Sequence, residues 1–321
     1  KSSQDLALAY LASQITVKIT SDIVTTLIEK GAITRDEYLA TARSEAVADL
    51  EGHELVDTWQ DANYHYAYYR LSKAKYAAIQ ARKRKSALAL STDFLTKAKA
   101  AGEISQFSDS FNATIQAFIP LLPYLNEALE VDFEGRQVIL SNEVNTQLQS
   151  LLSGITLDPS HSNVSAKLGQ PIAEKLTVFA RGHNTQALRG LPLKVHFTKG
   201  AGELLESIRT GNQGRAAVQV TSITAPLKLQ IIEISVDVEQ LLKNIESPIL
   251  IGIIRSIPPT STRVILDVAN PSIYMESTEI FSGRTLKQLQ VEPRIKNHFI
   301  GEGFNFVDNP KDADWQMTLS A

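Results

Sequence analysis

The 321 residues are more than one ordinary hydrophobic core organises and suit two or three domains of roughly 100 residues each. Apolar residues at 43% and charged residues at 21% fit a globular protein, and a formal net charge of −3 supplies no global field to gather nucleic acid or acidic lipid. Without cysteine, disulfides, thiolate metal sites and thiol nucleophiles are excluded, while the compartment is left open.

The amino-terminal residues carry Leu6, Leu8, Ala9, Leu11 and Ala12 on a broad apolar face, which predicts a helix over 5–13. Ile15, Val17 and Ile19 then alternate, so a strand is expected over 14–24. Within 25–50, Thr34 and Glu37 have the spacing of a capping box and predict a short helix. Residues 51–76, EGHELVDTWQDANYHYAYYRLSKAKY, read as a strand, a tight turn, an aromatic strand and a helix start. Tyr64, Tyr66 and Tyr68 alternate with His65, Ala67 and Tyr69, so one face of this ribbon is expected to be core and about half of the aromatics buried.

Ser72 is placed to cap a long helix in which Tyr76, Ile79, Ala87, Leu90, Phe94 and Ala98 recur, up to Gly102. A partner helix from about Ser105, carrying Phe107, Phe111, Ile115 and Phe118, must run antiparallel after so short a connection. Pro120 and Pro123 interrupt it. A further helix over 141–153 is expected, capped by Ser141 and closed by Gly154.

At LDPSHSN, residues 157–163, the composition changes to short strands: 163–168, 174–181, 191–198, 204–209, 215–222 and 228–238, with Gly214 suited to a positive backbone angle. ILIGII at 249–254 and VILDVA at 264–269 read as two apolar strands around a PPTST turn. Pro293 suits the first turn of a helix to about Ile300, Gly301 and Gly303 close it, and strands follow at 304–307 and from Asp314 through Trp315, Met317 and Leu319.

The chemistry-bearing residues are scattered. The six histidines, His53, His65, His161, His183, His196 and His298, show no ligand spacing, so no metal and no cofactor is expected. His53 and Asp57 could share a strand face as an acid–base pair, but no substrate-positioning group accompanies them. No Gly-x-Ser-x-Gly and no phosphate loop occurs, and no catalytic residue is assigned. Lys73, Lys75, Arg82, Lys83, Arg84 and Lys85 beside an aromatic strand have the ingredients of a single-stranded nucleic-acid surface, but Arg82 to Lys85 are consecutive and fan around the helix, so a solvated face is expected and no nucleic acid. Trp59, Tyr64, Tyr66, Tyr68 and Tyr69 offer a platform for a glycan or a protein edge, and Trp59, Tyr64, Tyr66 and Tyr68 are the candidate ligand-binding residues.

LALAYLASQITVKI, LEGHELVDTWQ and YHYAYYRLSKAKY together resemble the lipoprotein-20 family of bacterial envelope proteins and the amino-terminal domain of the flagellar assembly protein T. That family has no established chemistry. The resemblance implies a non-enzymatic, multidomain structural or assembly protein of the periplasm or outer membrane of a Gram-negative bacterium. Its partners would be envelope proteins or further copies of itself, with cell-wall polysaccharide or peptidoglycan as the alternative ligand. LPLKVHF with TGNQGRAAVQV resembles bacterial immunoglobulin-like domains, which implies a spacer or contact module, without the cysteine pair and core tryptophan of antibody domains. The last segment is similar to small α/β domains of envelope proteins such as the amino-terminal domain of the translocation protein TolB.

The fold expected is therefore α+β and multidomain. A lipoprotein-20-like α+β domain over 1–104 leads into a helical extension over 105–156 that completes a long helical hairpin. An immunoglobulin-like β-sandwich follows over 157–246, and a C-terminal α/β domain over 247–321. The chain is expected to continue beyond Ala321 and to have lost an upstream segment before Lys1, including any lipid anchor. That anchor would be its only membrane contact.

Overall fold

The structure, a computed structural model, describes residues 3–13, 21–40, 51–104, 106–183 and 185–321. It is α+β, and its contacts divide it into two compact units, each assembled from separated stretches of chain. One comprises Lys1–Thr156, Arg181–Leu191 and Asp237–Thr260; the other comprises Leu157–Ala180, Pro192–Val236 and Ser261–Ala321.

The first unit is mainly helical. α1 (Ser3–Ser13) precedes α2 (Asp22–Glu29), which buries Ile23, Val24 and Leu27 on one face. The strand expected over 14–24 is thus a helix from Asp22 onward, because Ile23, Val24 and Leu27 follow the helical period; 14–20 lie outside the described residues. The expected capping box is present. Thr34 N–H donates to Glu37 Oε2 at 2.8 Å and Glu37 N–H to Thr34 Oγ1 at 3.2 Å, and residues 35–40 are helical.

β1 (Glu54–Gln60) and β2 (His65–Arg70) form the aromatic ribbon. α3 (Lys73–Glu103) follows, capped by Ser72, whose Oγ accepts from Lys75 N–H. Its buried face is Gln80, Ala87, Ser91, Leu95 and Ala98; Ala87 and Ala98 belong to the expected stripe, whereas Leu90 is exposed. The partner helix α4 (Phe107–Phe118) supplies Phe107, Phe111 and Phe118, and Ser110 Oγ donates to the Ala98 carbonyl at 2.8 Å across the hairpin. That bond satisfies a hydroxyl in a contact where both Ser110 and Ala98 are buried. The two prolines convert the next turn into a 3₁₀ segment, Ile119–Tyr124.

β3 (Glu130–Phe133) and β4 (Arg136–Ile139) form a hairpin ahead of α5 (Leu140–Ser153). The expected cap at Ser141 is not made: the helix starts one residue earlier and Ser141 is buried inside its first turn. The helical unit is completed by α6 (Val238–Leu242) and α7 (Pro248–Arg255). α7 corrects the strand expected at 249–254. Ser247 accepts from Leu250 N–H, Pro248 fits the first turn, and Ile249, Leu250, Ile253 and Ile254 are buried at helical spacing. A continuous apolar run does not by itself separate a buried helix from a buried strand.

The second unit is built of sheets. Its strands are β5 (Thr156–Pro159), β6 (Asn163–Lys167), β7 (Thr177–Arg181), β8 (Pro192–Lys199), β9 (Gly202–Leu204), β10 (Ser207–Arg209), β11 (Arg215–Ala217), β12 (Val220–Ile223) and β13 (Leu229–Val236). β14 (Ser261–Ala269) lies between β13, antiparallel, and β6, parallel, in a sheet of order β10-β8-β13-β14-β6. A second sheet runs β11-β7-β5. Burial alternates along β13 and β14, so Ile232, Ile234, Val264 and Leu266 face a core. Gly214 has the expected positive φ, +66°.

Gln230 is fully buried and joins two turns of this unit. Its Oε1 accepts from Ala201 N–H at 3.2 Å, and its Nε2 donates to the Ala225 carbonyl at 2.7 Å and the Leu227 carbonyl at 3.2 Å. Gly200, at φ +97°, leaves room for this amide: a Cβ there would lie 2.1 Å from Gln230 Oε1.

The remaining elements are β15 (Ser272–Thr278), β16 (Ile280–Phe281), β17 (Arg284–Thr285), α8 (Val291–Gly301), β18 (Asn305–Phe306) and β19 (Trp315–Ser320). β15 is central in a parallel sheet of order β18-β15-β19. Asp314 organises its start: the carboxylate accepts from Ser272 N–H and Oγ, each at 2.9 Å, from Lys167 Nζ at 2.9 Å and from Gln170 Nε2 at 3.1 Å. The Ser272 N–H, then Lys167, hold this carboxyl well below the usual aspartate range against the desolvation that opposes them.

Two measurements test these assignments. Gln230→Leu removes the three hydrogen bonds that join the two turns and should cost about 1–3 kcal/mol of stability in urea unfolding monitored by circular dichroism; an unchanged midpoint would refute the role. A depressed folded-state pKa makes the Asp314 contribution complete above the unfolded value, about 3.9, and progressively lost as pH falls below it. Asp314→Asn should therefore lower stability at pH 7 by about 2 kcal/mol and flatten the acid limb of the stability profile. Parallel acid limbs in the two proteins would contradict this.

Candidate functional site

The candidate surface is the β1–β2 ribbon. Its turn is set by Asp61, whose backbone N–H donates to the Tyr64 carbonyl at 3.0 Å. Asp61 Oδ1 accepts from Asn63 N–H at 2.8 Å and Tyr64 N–H at 2.7 Å, an arrangement that side chains of this type favour in turns. Its Oδ2 accepts from the Tyr66 hydroxyl at 2.9 Å. The backbone donor of Asn63, then that of Tyr64, keep the Asp61 carboxyl below its ordinary range. The bond to Asp61, aided by desolvation, raises the Tyr66 phenol above its own.

Register places Trp59 opposite Tyr66 and Asp57 opposite Tyr68. Trp59 and Tyr66 stack with centroids 5.2 Å apart and planes 9° from parallel, and Tyr64 meets Tyr66 edge-on at 6.3 Å. Tyr68, two residues from Tyr66, points to the same face. The four residues singled out in the sequence, Trp59, Tyr64, Tyr66 and Tyr68, are thus brought together on one side of the ribbon. Their exposures are 52%, 65%, 37% and 50%.

Among the described residues the ribbon has no fully buried face. On the opposite side Ala67 and Tyr69 reach only half-burial, with α1 alongside β2, and Leu55 is exposed. A β-bulge at Val56 also separates His53 from Asp57. His53 packs edge-on against Tyr69 at 5.4 Å, whereas Asp57 lies opposite Tyr68, whose side chain points the other way. The acid–base pair considered for these residues is therefore not assembled.

The ribbon is tied to α3 at its base. Glu54 accepts from Arg70 and Lys75, each at 3.2 Å, and these two, Arg70 first, lower its pKa. Lys83 pairs with Glu51 at 2.9 Å and Arg84 with Glu127, so much of the basic run on α3 is already matched by carboxylates. Exposed pairs of this kind add little stability but fix local charge. Asp61 is the residue that the sequence reading passed over. The signal was there, since an aspartate two residues before an asparagine, between two alternating runs, is turn chemistry.

A second concavity, about 230 Å³, lies within the helical unit. It is lined by the apolar Ile23, Leu27 and Ile253, by the amides of Asn142, Asn145 and Gln149, and by Asp22 and Lys30. Among the described residues no group of three or more histidine or acidic side chains is arranged to hold a metal ion, and no helix is long and apolar enough to cross a membrane.

No protein-family model and no curated protein matches the chain. Among solved structures it has partial likenesses to two crystal structures of a bacterial S-layer protein. One is of the S-layer protein rSbsC(31-844), at 10% identity and TM-score 0.18, covering 67% of this chain and 29% of the other. The second, the N-terminal part of the S-layer protein SbsC, gives 10% identity and TM-score 0.19, covering 67% and 50%. The chain therefore spans half or less of the structures it resembles, and superpositions this poor carry no argument about fold or function.

Proposed function

We propose that this protein is a non-enzymatic structural or assembly component of a bacterial cell envelope that works by presenting contact surfaces, with the aromatic ribbon as its principal protein-binding element. The observation that carries the reading is the cluster of Trp59, Tyr64, Tyr66 and Tyr68, gathered on one face and left accessible by every other described element. Tyrosine and tryptophan dominate the energetic centres of protein interfaces because they desolvate large areas with few rotamers to fix. Bonds from Asp61 to the turn and to Tyr66 pre-organise the cluster, which reduces the ordering cost of association.

The compartment belongs to the same proposal: the periplasm or outer membrane of a Gram-negative bacterium, on the resemblance of residues 6–19, 50–60 and 64–76 to lipoprotein-20 sequences. We read the paired sheets of the second unit as an immunoglobulin-like sandwich and its last elements as a small α/β module. The alternating burial on β7, β13 and β14, and the β15–α8–β18 order, support those readings.

Photo-crosslinking in cells, with the reactive side chain in place of Tyr68, tests the proposal. A discrete adduct to an envelope protein or to a second copy is expected, and Trp59→Ala with Tyr66→Ala should reduce it at least about tenfold, as for central aromatic anchors. Recovery of the monomer alone would overturn it. A second reading, glycan binding, is favoured by the near-parallel Trp59 and Tyr66 rings, since aromatic faces pack against sugar rings. In a Trp315→Phe background, Trp59 fluorescence would change on titration with soluble peptidoglycan fragments; a flat titration removes this reading.

A further inference from the structure

The hairpin at 280–285 is the most exposed apolar feature of the β-rich unit, and its construction is specific. Ile280 pairs with Thr285 and Phe281 with Arg284. The two linking residues, Ser282 at φ +49° and Gly283 at φ +75°, both have the left-handed backbone of a tight two-residue turn. Phe281 is 71% exposed and Ile280 is 57% exposed. Consecutive strand residues point to opposite faces, so the tip is apolar on both sides.

The base is held firmly. Glu279 is buried, and its carboxylate accepts from the backbone N–H groups of Gln290 at 2.7 Å, Val291 at 2.8 Å and Glu292 at 2.8 Å, at the start of α8. The Glu279 carbonyl accepts from Leu286 N–H at 2.8 Å, and Ile280 N–H donates to the Ala321 carbonyl at 2.7 Å. Both ends of the excursion are pinned to the parallel sheet and its helix. The exposed tip is therefore a rigid projection.

Charge adds a direction. From Ile280 to Gln290 the only ionisable side chains are Arg284 and Lys287, and among the described residues neither makes an ion pair. A flat protein surface could cover one face of so narrow a ribbon and leave the other wet. A medium that surrounds the tip desolvates both faces while leaving the flanking cations at its boundary, as a lipid headgroup region does.

We propose that the Ile280–Thr285 hairpin is a membrane-surface contact, with Phe281 and Ile280 entering the interfacial region of a bilayer and Arg284 and Lys287 meeting anionic headgroups. This is a local site on the β-rich unit, independent of the chain's overall negative charge.

Co-sedimentation of the full chain with vesicles of phosphatidylcholine, alone or with about one-third phosphatidylglycerol, tests it. Binding is expected to the anionic vesicles, weakening with salt. Phe281→Ser should lower the partition coefficient about tenfold, and Arg284→Gln with Lys287→Gln should remove the preference for anionic lipid. Because the chain has no cysteine, Ser282→Cys carrying an environment-sensitive dye reports insertion directly: its emission should shift to the blue with anionic vesicles and stay unshifted once Phe281→Ser is added. Thermal unfolding of each variant should match the parent, since the altered side chains are exposed. No vesicle binding, or equal binding by Phe281→Ser, overturns the proposal; so does a loss of self-association in Phe281→Ser without vesicle binding, which would assign the tip to a protein contact.

Discussion

The pairing of β14 with β13 on one side and β6 on the other is the constraint on which the architecture depends. β13 and β14 are separated in the chain by 237–260, which fold into the helical unit, and β6 lies about a hundred residues upstream of β14. Closing the sheet therefore requires the chain to leave the β-rich unit, complete part of the helical core with α6 and α7, and return. The five-stranded sheet is incomplete until β14 arrives. Non-local pairing of this kind carries a loop-closure cost that only the completed core offsets.

The ribbon at 51–70 obeys a different logic. Its two strands have little sheet to join among the described residues, and its aromatics stabilise one another across the strands instead of filling a core. A two-stranded hairpin is marginal alone, so its order rests on the Asp61 turn, the Trp59–Tyr66 stack and the Glu54 link to α3. Alternation in sequence then records which side chains share a face, without recording whether that face is covered.

This difference explains what could be read from the sequence. Signals that act within a few residues were legible: the Thr34–Glu37 box, Ser72 as a cap, Gly214 at positive φ, and Pro293 in the first turn of α8 all act where they stand. The four aromatics of the ribbon were also legible as one set, since a period of two needs only a strand. Signals decided by partners were not. ILIGII is apolar enough for a buried strand, and it is a helix because Ser247 and Pro248 start one and the helical unit supplies a face for Ile249 and Ile253. Leu90 and Leu95 are equally apolar, yet Leu95 is fully buried and Leu90 is exposed, a difference set by tertiary packing. The bulge at Val56, which separates His53 from Asp57, exists only in the pairing with β2.

Carboxylates connect these observations. Asp61, Glu279 and Asp314 each accept from backbone N–H: Asp61 in the ribbon turn, Glu279 at the base of the 280–285 hairpin, and Asp314 at the start of β15, where Lys167, Gln170 and the Ser272 hydroxyl donate as well. Each keeps a depressed pKa for that reason, Glu279 against strong desolvation. An ionised carboxylate accepting backbone N–H groups fixes both ends of a short segment at once, which a hydrophobic contact on a narrow exposed ribbon cannot do. The aromatic ribbon and the Phe281 tip are exposed apolar surfaces whose backbones are held in place by acidic residues rather than by burial. Apolar area on such elements is thus released from structural duty and left available for contact with something else.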